Sequence, residues 1–155
     1  MHKGKLGLGT ALVAGMAVTG ALVLAPAASA VSPDSATLSF DCGSFGSGSA
    51  TLAATQDGTS ATITVSTAAI TSPINVGANS VNSTLVMSNA SGGTTSFTGS
   101  SNPAITAGQP ISTGPLTGTV ASGDSLSGQS MTVVVFGITA TCTATSAQSP
   151  GPFQF

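Results

Sequence analysis

The chain holds two cysteines, Cys42 and Cys142, and each ends a run of strand-forming residues. The later run, Ser130–Thr145 (SMTVVVFGITATCTAT), is the most β-prone stretch of the sequence. In the earlier run, Ala36–Cys42, the apolar Leu38 and Phe40 share a phase with Cys42, while Thr37, Ser39 and Asp41 take the other. That is the period-2 pattern of a half-buried strand. If the two thiols pair, strands from the two ends of the sequence become neighbours. A loop of about 100 residues is then closed between them, which destabilises the unfolded chain by about 4.7 kcal/mol in the chain-entropy picture.

Whether the thiols pair depends on compartment. His2, Lys3 and Lys5 precede an apolar run from Leu6 to Leu24, followed by Pro26 and Ala28-Ser29-Ala30. A basic start, an apolar middle and a small-x-small site predict a secretory signal peptide, residues 1–30, cleaved after Ala30 with Ala28 and Ala30 as the recognition pair. The rival, an uncleaved membrane anchor, is disfavoured by Gly7, Gly9, Gly15 and Gly20 within the run. With no cysteine at the mature start and no arginine at all, lipoprotein and twin-arginine export are excluded. An exported chain matures under oxidising conditions, where two cysteines pair. A reactive thiol would need a cationic neighbour to lower its pKa, and after residue 30 there is none.

Beyond Ala30 the chain contains no Lys, Arg, His, Glu, Trp or Tyr, and its charged side chains are Asp34, Asp41, Asp57 and Asp124. Nucleic-acid binding, which requires cations against phosphate, is excluded. Electrostatic attachment to anionic lipid fails for the same reason. The remaining length, about 125 residues, fits one domain.

Turn chemistry divides that length into short extended runs. Asp57-Gly58 between Ala50–Gln56 and Thr59–Ser66 predicts a hairpin, with Leu52 and Ala54 opposite Ile63 and Val65. Further strands are expected at Val81–Met87, Thr94–Thr98 and Leu116–Ala121, and a bulge or bend at Gly137 divides Met131–Phe136, placed in the core, from Ile138–Thr145, as two strands or one bent strand. Many short strands with regular turn signals argue for a sandwich or small barrel, and the sandwich is preferred, with about seven to nine strands. The domain is set at 31–148. The proline-broken segment 149–155 is expected to be a disordered tail.

Leu116–Val120 (LTGTV), Ser125-Leu126 and Met131–Thr143 (MTVVVFGITATCT) resemble the C-terminal half of short secreted actinobacterial proteins, whose N-terminal strand also ends in a cysteine, as Leu38–Cys42 does here. The resemblance implies an immunoglobulin-like β-sandwich with one disulfide joining first and last strands, no established activity, and no catalytic residues to carry over. Asp41 departs from the pattern, in which an aromatic and a threonine precede the first cysteine.

Chemistry has few residues to work with. A Ser–His–Asp triad cannot be built without a histidine after residue 30, and a zinc site lacks ligands once the cysteines pair. A carboxylate pair requires two aspartates at close range, yet Asp57 and Asp124 lie in turn signals and Asp34 near the start. The expectation is therefore no enzyme, no cofactor and no metal. It is a non-enzymatic secreted or wall-associated structural or interaction module, whose partners would be cell-envelope components or another secreted protein. The alternative is a module binding a small apolar ligand or a glycan, in which Phe45, Phe97 and Phe136 line a pocket.

Overall fold

Alternation of Ser and Thr with apolar residues resolves into nine strands in the computed structural model, which describes residues 30–155. They are β1 (Ser35–Asp41), β2 (Ser47–Asp57), β3 (Ser60–Thr71), β4 (Asn82–Asn89), β5 (Thr94–Gly99), β6 (Pro110–Thr119), β7 (Ser125–Val135), β8 (Ile138–Ala144) and β9 (Phe153–Gln154). The expected signal peptide, with Ala28 of its cleavage pair, lies outside the described residues; only Ala30 is included.

Every strand pairing is antiparallel, and the order β4-β5-β6-β3-β2-β1-β8-β7 closes on itself through a long β7–β4 ladder. The chain is therefore all-β with a closed eight-stranded barrel, whereas a sandwich would leave two separate sheets. Closure removes the unpaired strand edges that an open sheet exposes. The ring is uneven, however. The β5–β6 ladder has a single registered pair, Thr98 with Thr117, and the β1–β8 ladder has two, Phe40 with Ala144 and Asp41 with Thr143. These two thin seams divide the barrel into halves, β1-β2-β3-β6 and β5-β4-β7-β8, which is where a sandwich would part.

Each seam carries its own fastening. At β5–β6, Phe97 is fully buried against Gly118, where a Cβ would stand 2.7 Å from the ring. At β1–β8, Cys42 and Cys142 form the disulfide, their Cα atoms 4.0 Å apart. Cys42 follows directly on the Asp41–Thr143 pair, so the bond continues the ladder by one step. β8 is the last strand of the barrel, with β9 appended on β7.

The Leu52–Val65 and Ala54–Ile63 pairs follow the alternation of the β2–β3 hairpin. Its turn sits one residue later than the Asp-Gly signal suggests. Asp57 pairs with Ser60, so Gly58 and Thr59 make the turn, and the one positive φ it needs falls on Gly58 at +61°. Ser130–Thr145 is likewise a hairpin and not a bent strand. Val135 pairs with Ile138 across Phe136 (φ +51°) and Gly137 (φ +74°).

The segment 149–155, expected to be disordered, is part of the wall. Ser149 bridges to Thr37, Gln154 pairs with both Ser125 and Ser32, and Phe153 pairs with Leu126. Phe153 is fully buried and Phe155 nearly so, their rings edge to face at 6.4 Å. Two apolar rings outweigh the proline signal because β1 and the start of β7 otherwise lack a strand between them.

Antiparallel connectivity gives the barrel two unlike ends. One, the base, collects the 58–59, 90–93 and 120–124 turns together with both ends of the described chain. Here Leu52, Ile63, Met87, Leu116, Leu126 and Phe153 fill the interior completely. The other, the mouth, collects the connections 42–46, 72–81, 100–109 and 136–137.

Candidate functional site

The inward phase of β7 and β8 reads Met131, Val133, Val135 and Ile138, Ala140, Cys142, Ala144, yet none of these is buried. Their counterparts on β1 and β2, Leu38, Phe40 and Leu52, are buried. The difference arises because the upper half of the barrel is hollow. A cavity of about 510 Å³ opens toward the mouth, within the range of roughly 300–1,000 Å³ usual for small-molecule sites.

Small inward residues create the hollow. Ala140 and Ala144 on β8, Ala50 on β2 and the disulfide itself line one side, where larger side chains would fill the lumen. The floor is set by Leu38, Leu52 and Gly128, and a Cβ on Gly128 would stand 2.5 Å from Leu38 Cδ2. Val65, Ile70 and Ile111 supply the facing wall with Met131, Val133 and Val135.

The roof is a second apolar cluster of Val76, Val81 and Ile105, against which Val133 and Val135 pack. Val76 and Ile105 exchange backbone hydrogen bonds of 2.8 and 2.9 Å, joining the two longest mouth connections. Asn102 holds the same connections together from within the protein. Its Oδ1 accepts from the Ser80 and Val81 amides at 2.8 and 3.0 Å, and its Nδ2 donates to the Gly77 and Pro103 carbonyls at 2.9 and 2.7 Å. Asn102 is almost fully buried. Sequence reading passed it over as a loop residue, since nothing local distinguishes it from other turn asparagines.

Among the described residues, no Asp, Glu, Lys, Arg or His lines the cavity. Several of its hydroxyls are already engaged with protein. Thr67 Oγ1 donates to the Ser49 carbonyl at 2.7 Å, Ser72 Oγ donates to the Ile74 carbonyl at 2.6 Å, and Thr113 and Ser83 bond each other at 2.7 Å. No family model, curated protein or solved structure matches this chain. What the site can do therefore rests on its own geometry.

The structure separates the three phenylalanines expected to share a pocket. Phe45 and Phe136 line the cavity at its mouth, and Phe97 belongs to the packed core. Phe136, expected in the core with Met131–Val135, stands instead at the hairpin tip and is 63% exposed. The aspartates serve turns. Asp41 Oδ1 accepts from the Gly43 amide at 2.7 Å, and Asp124 accepts from the Ala121 amide and the Asn89 side chain at 2.8 and 2.9 Å. Asp34, Asp57 and Asp124 fall at the base and Asp41 at the mouth.

The wall's polarity is also informative. Outward positions on β2 and β8 read Thr51, Thr55, Thr139 and Thr141, and the apolar set faces inward. A barrel that crosses a membrane has the reverse arrangement, an apolar exterior with aromatic girdles.

Proposed function

We propose that this protein is a non-enzymatic, secreted binding module that holds a small, uncharged apolar molecule in the lumen of its barrel. The observation that carries the reading is the open apolar cavity, lined by half-buried Met131, Val133, Val135 and Ala140 and free of ionisable side chains. A charged ligand would lose its hydration there without gaining a partner. An apolar one would bury its surface at about 25 cal/mol per Å². A glycan is disfavoured, since its hydroxyls would meet hydrocarbon.

The disulfide and the resemblance to short secreted actinobacterial proteins support an extracellular or wall-associated location. The competing reading, a structural or interaction module acting through its neutral Ser/Thr exterior, draws on the polar outward phase of the strands and predicts an idle lumen.

The test uses residues 31–155, which contain all nine strands, titrated with the neutral dye Nile red. Saturable binding with a blue-shifted emission is expected. Ala140→Trp, which places a ring in the lumen, is expected to lower the affinity at least tenfold. Thr141→Trp, one residue along and facing outward, is expected to leave it unchanged. No saturable binding, or equal loss in both variants, refutes the lumen as the site.

A further inference from the structure

Among the described residues, the four exposed large hydrophobic side chains, Phe45, Ile74, Phe136 and Ile138, all stand at one end of the barrel. Each also lines the cavity, so apolar side chains stand both at the rim and in the lumen. Isolated exposed apolar residues need no explanation, but a contiguous patch marks an interaction site.

Phe136 sharpens the point. It occupies a hairpin turn at φ +51°, a position that favours Gly, Asn or Asp. A bulky side chain in that conformation is disfavoured, and here the ring gains little burial in return. Strain with little packing to offset it is a mark of function elsewhere.

Charge is distributed to match. The four mouth connections carry no Asp, Glu, Lys, Arg or His, and Asp41, the one carboxylate near that end, is bonded to the Gly43 amide. The other three aspartates lie at the base. An uncharged end that exposes four large apolar side chains among the described residues fits a neutral, hydrocarbon-rich surface and gains nothing from anionic headgroups.

We infer that the mouth seats on an electrically neutral lipid surface through Phe45, Ile74, Phe136 and Ile138, so that an apolar ligand passes between bilayer and lumen without crossing water. The ligand route rests on the lumen reading above, whereas the docking itself does not. In this orientation the base, with Val31 and the C-terminus, points away from the lipid.

The experiment is flotation of dye-free residues 31–155 with phosphatidylcholine vesicles. Reversible binding is expected, insensitive to salt and not strengthened by adding phosphatidylglycerol. Phe136→Gly suits the turn better than the native residue and keeps the fold. It is expected to lower the bound fraction about fivefold, since roughly half of one large apolar side chain is withdrawn from lipid. A companion variant, Ile138→Thr, is expected to act in the same direction. Absence of flotation overturns the docking whatever the dye shows. So does binding that requires phosphatidylglycerol, or a mouth-to-mouth dimer in sedimentation that Phe136→Gly dissolves while vesicles stay bare. Flotation without dye binding would retain the docking and retire the lumen reading.

Discussion

Phe153→Ala probes whether the last seven residues belong to the barrel. The ring is fully buried, Phe153 pairs with Leu126 and the ring meets that of Phe155 edge to face. Truncating a buried phenylalanine costs about 3–5 kcal/mol when the surroundings cannot collapse. Here they are held by β7 and by the Ser32–Gln154 bridge. For a domain of about 125 residues, an unfolding entropy of about 2.1 cal/mol/K per residue gives roughly 4 °C of Tm per kcal/mol, hence a fall of about 12–20 °C. Intrinsic fluorescence cannot follow this, because the chain has no Trp or Tyr. Calorimetry or far-ultraviolet circular dichroism can. Phe45→Ala is the matched control, the same truncation on a ring that is 47% exposed in the 3-10 turn Gly43–Phe45. Substitutions at exposed positions stay within about 0.5 kcal/mol. If Phe153→Ala melts within about 2 °C of the parent, or no lower than Phe45→Ala, the tail is not part of the wall and the reasoning fails.

Two further outcomes test the seams and the roof. Replacing both cysteines by alanine is expected to lower Tm by about 15–20 °C, from the 4.7 kcal/mol of loop entropy at about 4 °C per kcal/mol, as measured by calorimetry of the oxidised parent against the variant. Asn102→Ala removes four side-chain hydrogen bonds and leaves the Ser80 and Val81 amides without their acceptor. A loss of about 2–4 kcal/mol is expected, with hydrogen exchange accelerated in residues 76–81 more than in β2 or β3.

What the sequence disclosed follows from which signals are local. The Leu52–Val65 and Ala54–Ile63 register is written in alternation and in Gly58, all within a few residues, and could be read directly. Whether eight strands close or split into two sheets depends on β4 pairing with β7, which no local pattern records. The hollow had a faint signal in Ala140 and Ala144, small residues on the inward phase of β8. Alternation tells which way a residue faces, not whether anything stands opposite, so Met131–Val135 read as core when they line open space. Phe136 was misplaced for a related reason. It continues the apolar run, and only the pairing of Val135 with Ile138 turns it outward. Prolines at 150 and 152 advertised a loose end, and the burial of Phe153 depends on a gap between β1 and β7 that is visible only in three dimensions.

The adjacency of the two ends of the described residues has a consequence for how the protein reaches this state. Ser32 bridges to Gln154 and Thr37 to Ser149, so the first strand has no complete neighbour on one side until the final residues arrive. Contacts so distant in sequence form late and slowly, because loop-closure entropy must be overcome first. The ring itself can shut once β8 pairs with β1 at Phe40 and Asp41, but the remaining edge of β1 stays open until the segment 149–155 is in place. A protein shortened at the far end would therefore keep β1 paired with β2 and leave the other edge of that strand bare where Ser149 and Gln154 now cover it.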